Sequence, residues 1–101
     1  MIGSANSKNR VKIRLTEERW FHITESHDEL TGLSFDVLDS IENPDVIVKG
    51  IAGELIACTR IGNKYLISVY KETNNDGFVI TAYLTKSIKK LLKRGILWKK
   101  K

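Results

Sequence analysis

GELIACTRIGNKYLISVYKETNNDGFVITAYLT, residues 53–85, holds three runs rich in β-branched and aromatic side chains. Gly62-Asn63 and the stretch Asn74 to Gly77 punctuate them as turns. Such runs favour strands, and links this short join antiparallel neighbours. If Gly62-Asn63 is a two-residue turn, Cys58 lies opposite Ile67 and Ile56 opposite Val69, an apolar face expected to pack on helices. The other face would be open. It would carry Leu55, Ala57 and Thr59 beside Tyr70, Ser68 and Leu66, with the mixed row Val79, Thr81, Tyr83, Thr85. Period-two alternation makes this assignment sensitive to a slip of one residue.

Working toward the N-terminus, VIVKG (46–50) adds a fourth strand after Pro44, which pushes Asn43 out of helical geometry. Ser34 is a helix cap, with Val37, Leu38 and Ile41 as the buried stripe of a second helix. A first helix is expected over residues 17–27. Thr16 caps it, Glu17 and Glu18 suit its positive end, and Trp20, Ile23 and His27 share a face. VKIRL (11–15) alternates apolar and basic residues and reads as a short strand, and residues 1–10 read as a loose, flexible arm. At the other end, Lys86 to Arg94 spaces Ile88, Leu91 and Leu92 as a basic helix, with Gly95 as its stop. The expected architecture is α+β: an N-terminal strand and two short helices packed on a four-stranded antiparallel sheet, followed by a basic C-terminal helix. Residues 11–101 would form a single domain.

The 101 residues carry a net charge of +5 that is unevenly spread. Residues 16–45 hold nine acidic side chains and one basic; residues 86–101 hold eight basic and none acidic. The basic tail is therefore the expected phosphate-contacting segment. No apolar run approaches the roughly 20 residues of a membrane span, so no membrane partner is expected. A single cysteine, Cys58, and an opening without a hydrophobic leader suit the cytoplasm.

His22 and His27, with Glu25 and Glu29 close by, form the densest set of proton-transfer groups. Imidazole accepts and returns protons near neutral pH. Cleaving RNA without a metal requires that service at the 2′-hydroxyl and at the leaving 5′-oxygen, with cations or hydroxyls steadying the phosphorane. Arg60, Tyr70, Thr81, Tyr83 and Lys86 are candidates for the steadying role, and Lys89 and Lys90 for RNA contact. His27 also fits a satisfied, partly buried structural histidine. In an unbroken helix His22 would lie roughly 140° round from it. There is no glycine-rich phosphate loop, no CxxC and no HExxH, so neither a metal nor another cofactor is expected.

RVKIRLTEERWFHITESHDEL (10–30) resembles the opening of phage- and mobile-element-associated members of the barnase–EndoU–colicin–RelE-like nuclease superfamily. The similarity lies in Trp20, then His22-Ile23, then His27-Asp28-Glu29-Leu30, with Asp28 where the family pattern often has proline. Asn43-Pro44-Asp45 is similar to the family's turn before its sheet, and Thr81-Ala82-Tyr83 to an element of its last strands. The resemblance spans about residues 10–98. It implies a metal-independent ribonuclease of the toxin type, with RNA bound across the sheet and activity masked by an antitoxin protein. It points to His22, His27, Glu29, Thr81 and Tyr83 as site residues. Two further readings stay open: a non-catalytic RNA- or protein-binding module, and a subunit whose acidic region docks a basic partner.

Overall fold

The computed structural model describes residues 1–101. The central hairpins form with the registers expected: Cys58 faces Ile67 and Ile56 faces Val69 across β4 (Leu55–Ile61) and β5 (Lys64–Thr73). Gly62 makes the first turn at a φ of 61°, and Asn74 makes the second, at 52°, into β6 (Asp76–Thr85). β3 (Val46–Lys49) pairs with the outer side of β4.

The sheet is larger than four strands and is not purely antiparallel. It has seven strands, in the order β1-β2-β6-β5-β4-β3-β7. β2 (Lys12–Leu15) runs parallel to β6 through Lys12↔Asp76, Ile13↔Gly77 and Arg14↔Phe78. The segment expected to be a loose arm instead supplies β1 (Gly3–Asn6), antiparallel to β2, with Ala5 and Ser7 buried. Small polar side chains conceal this strand, because an edge strand needs only backbone pairing and one inward residue. At the far end, Gly95 turns the chain at a φ of 119°. Ile96–Lys99 then returns as β7 beside β3. The expected C-terminal helix shrinks to α3 (Lys89–Leu92). Lys8, just past β1, lies with Nζ 4.9 Å from the Trp98 ring centre, so the curled sheet brings its outer strands close.

α1 (Glu17–Ser26) starts where expected, with Thr16 Oγ1 accepting the Arg19 N–H at 3.1 Å. α2 (Ser34–Glu42) begins without a side-chain cap; Leu33 holds the cap position, not Ser34. Asp28–Leu30 forms a single 3₁₀ turn between them. α1 and α2 contribute Ile23, Val37, Leu38 and Ile41 to the main core, where they meet Ala57, Leu66, Tyr70, Val79 and Ala82. Ile88, Leu91 and Leu92 cover the opposite face, against Val48, Ile56, Cys58 and Ile67.

The two faces are thus the reverse of the expectation. The row with Cys58 and Ile67 meets the α3 segment, and the row with Tyr70 and Ser68 meets α1 and α2. Strands covered on both sides are apolar on both rows, and alternation cannot then say which helix lies where. A bulge adds to this: Val69 faces Thr81 but Tyr70 faces Val79, which sends Val79 into the main core and leaves Thr81 and Tyr83 on the other face. Ser40 and Ser68 meet across the helix–sheet boundary at 2.7 Å, and Ser40 donates to the Val37 carbonyl.

Candidate active site

β2 leaves β6 at Phe78, so the rest of that β6 edge has no neighbouring strand. α1 runs beside it, and Arg19 Nη1 reaches the Ile80 carbonyl at 3.5 Å. The end of α1 therefore falls near Tyr83. His27 caps the helix, its N–H bonded to the Ile23 carbonyl at 2.9 Å. Its ring centre lies 6.0 Å from that of Tyr83, tilted by 34°. Glu29 places Oε2 3.6 Å from His27 Nδ1. A carboxylate facing Nδ1 favours the tautomer with hydrogen there and leaves the Nε2 lone pair available.

Tyr83 also lines a groove of about 420 Å³ with Thr85, Ser87, Lys89, Lys90 and Leu91. Two lysines and three hydroxyls border an otherwise apolar floor. Burial, followed by the nearby Cys58 thiol, pushes the Tyr83 phenol above its ordinary pKa, with Arg94 opposing. The hydroxyl therefore remains a proton donor well beyond neutral pH. Ser87 links the groove to α3: its Oγ accepts the Lys89 N–H at 3.3 Å, and Thr85 Oγ1 donates to the Ser87 carbonyl at 3.2 Å.

No protein-family model, curated protein or solved structure matches the chain.

Tyr83 joins two sets of expected site residues: His27, with Glu29 beside it, lies near its ring, and Lys89 and Lys90 line the groove with it. Thr81 stands two residues before Tyr83, on the same sheet face and half-buried. His22 is not part of the group. It lies exposed on α1, with Nδ1 3.6 Å from Glu25 and its ring edge-on to Phe21. The end of α1 at Ser26 does not make the two imidazoles converge; each has its own glutamate. Lys86 is exposed beyond β6 and does not line the groove. Tyr70 is 1% exposed in the main core, a consequence of the reversed faces. Arg60 lies over the Tyr65 ring, its guanidinium carbon 5.3 Å from the centre.

Thr85 and Ser87 were not singled out from the sequence as site residues. The signal for Thr85 was its place in the Thr81-Tyr83-Thr85 row; Ser87 lies beyond that strand and had none. No group of three or more His, Cys, Asp or Glu side chains gathers as a metal cradle, and no helix is long and apolar enough to cross a membrane.

Proposed function

We propose that the protein is a metal-independent endoribonuclease of the toxin type, working at the His27–Tyr83 end of the lysine-lined groove. The supporting observation is an imidazole 6.0 Å, ring centre to ring centre, from a phenol held protonated, where that phenol lines one groove with two ammonium groups. His27 Nε2 takes the proton from a 2′-hydroxyl, and that oxygen bonds to the adjacent phosphorus. The bond from phosphorus to the 5′-oxygen breaks, and Tyr83 gives the departing oxygen its proton. A 2′,3′-cyclic phosphate and a free 5′-hydroxyl result; water returns a proton to Tyr83 and takes one from His27. Lys89 and Lys90 offset the phosphorane charge. On this reading the protein acts in the cytoplasm, where Cys58 stays reduced, and an antitoxin protein would silence it by covering the groove.

The test is cleavage of labelled single-stranded RNA in the presence of a chelator. His27→Ala lowers the rate by about a hundredfold, the scale of a lost general base. His22→Ala leaves it unchanged. Intact RNA with the wild-type protein, or equal cleavage by both variants, rejects the enzymatic assignment.

The separation of the two histidines favours one second reading, an RNA-binding module using the same groove. A single imidazole is enough to retain a phosphate but leaves the acid role to a phenol. Under that reading the wild-type protein holds RNA without cutting it, and Lys89→Ala and His27→Ala each weaken retention.

A further inference from the structure

A second opening lies on the same sheet face, on the other side of α3. It has a volume of about 290 Å³, and its walls include Asp45, Arg60, Tyr65, Ile88, Leu92 and Lys99. Tyr65 is the cross-strand partner of Thr85, which lines the first groove, so the two openings meet at one residue pair of the sheet. The guanidinium of Arg60 is tethered over the Tyr65 ring. Its carbon lies 5.3 Å from the Tyr65 ring centre, and its Nε donates to the Gly62 carbonyl at 2.9 Å. The backbone beneath it is fixed too: the Arg60 N–H donates to Asp45 Oδ2 at 2.7 Å.

A planar cation backed by an aromatic ring, next to an apolar wall and a lysine, has the chemistry of a nucleobase stack. Bases stack on aromatic and guanidinium planes whatever their sequence. The apolar side chains of Ile88 and Leu92 bound the opposite side, and Lys99 is placed for a phosphate. Asp45 Oδ2 takes the Arg60 N–H and Oδ1 faces Lys100 Nζ at 3.8 Å, which still leaves lone pairs for a donor on a base edge. A base can enter such a slot only if it is not already paired and stacked in a duplex.

We infer that the Arg60–Tyr65 slot holds one unstacked nucleobase of the bound strand, which makes single-stranded RNA, and not duplex RNA, the substrate class. This inference rests on the ribonuclease reading for its substrate but is carried by a site separate from the reacting groups.

The experiment uses the full chain and a 2′-O-methyl RNA decamer, which lacks the attacking hydroxyl and stays intact. Affinity is read by fluorescence anisotropy for the single strand and for its duplex. Arg60→Ala and Tyr65→Leu each weaken single-strand binding by about tenfold, the scale of one lost stack. Arg60→Lys, which keeps the charge but not the plane, weakens it as Arg60→Ala does. The duplex binds the wild type more weakly than the single strand, and the same substitutions leave its affinity unchanged. Circular dichroism confirms that each variant is folded, and Arg60, being exposed, provides the variants least tied to packing. Equal affinity for strand and duplex, or full affinity restored by lysine at position 60, overturns the inference. Unmodified RNA run in parallel separates the two claims. Cleavage with an unchanged Arg60→Ala affinity removes the slot alone; slot-dependent binding without cleavage removes the nuclease reading alone.

Discussion

Gly77→Ala examines the feature that most distinguishes this sheet, the parallel pairing of β2 with β6. Gly77 is buried, and Ile13 is its partner across that pair. Its φ is not in the left-handed region, so the backbone would accept alanine, and space alone decides the outcome. An added Cβ would stand 2.5 Å from the Lys71 carbonyl oxygen and 2.6 Å from Ile13 Cδ1. The first is main chain of the neighbouring strand, and the second belongs to a side chain with no exposed surface. Neither can yield without moving a strand or forcing a rotamer. Overpacking of this kind costs about 1–3 kcal/mol. The chain-entropy gain from replacing glycine returns about 0.4–1 kcal/mol. A net loss of about 1–2 kcal/mol remains, and for a domain near this size that lowers Tm by roughly 4–16 °C. Urea unfolding at neutral pH followed by a thermal melt measures both quantities. Gly62→Ala is the comparison: it meets no neighbour within 4 Å but sits at a φ of 61°, so it carries backbone strain alone. If Gly77→Ala were as stable as the wild type, or more so, β2 and β5 would not crowd Gly77 as their registers require.

Two further outcomes follow from buried groups. Burial, with Asp45 next in effect, raises the Cys58 thiol from 9.0 to about 11, while in the unfolded chain it releases its proton near the ordinary value. Above pH 9 the unfolded state thus holds fewer protons, and stability falls as pH rises through the folded value. Between pH 8 and 10 this thiol removes about 1 kcal/mol, so urea midpoints at the two pH values should lie closer together in Cys58→Ala than in the wild type; equal differences would contradict the assignment. The Ser40–Ser68 pair should respond asymmetrically. Ser40 gives its hydrogen to the Val37 carbonyl, so Ser68 is the donor between them, and Ser40→Ala strands the Ser68 hydroxyl in the core. That costs about 1–3 kcal/mol, whereas Ser68→Ala leaves Ser40 bonded and costs about 1 kcal/mol; the reverse order in urea unfolding would contradict the donor assignment.

The elements legible in the sequence are those whose signal is local. Thr16 fixed the start of α1, Pro44 the end of α2, and Gly62-Asn63 the register that sets Cys58 opposite Ile67. What the sequence concealed depends on partners far along the chain. GSAN becomes a strand because VKIRL lies beside it, and ILWK because VIVK does. Tyr70 looked like an open-face residue because its row mixes polar and apolar side chains. Its face was decided by α2, which packs on β4 and β5. Of the candidate site, His27, Glu29 and Tyr83 were readable as residue types, but their meeting needed the free edge of β6, which exists only because β2 stops at Phe78. No local pattern announces where a parallel partner will end.

The same topology answers an electrostatic objection to a phosphate-binding groove. The nine acidic side chains of residues 16–45 would repel RNA if they lined it. Six of them lie on α1 and α2, which pack on the face bearing Ala57, Leu66 and Tyr70, whereas Lys89 and Lys90 belong to α3 on the face bearing Cys58 and Ile67. Helices on opposite sides of one sheet stand about 20 Å apart, at roughly 10 Å per layer. That exceeds the screening length of about 8 Å at physiological salt, so the carboxylates of α2 and of the start of α1 are weakly felt in the groove. Asp28, Glu29 and Asp45 lie outside those helices; Glu29 stands 3.6 Å from His27, and Asp45 lines the second opening. Under the proposed reaction a phosphate avoids Glu29 and lies toward Lys89 and Lys90, with the 2′-hydroxyl of the preceding nucleotide facing the free nitrogen of His27. On that reading the carboxylate that orients the base also sets which way the strand lies.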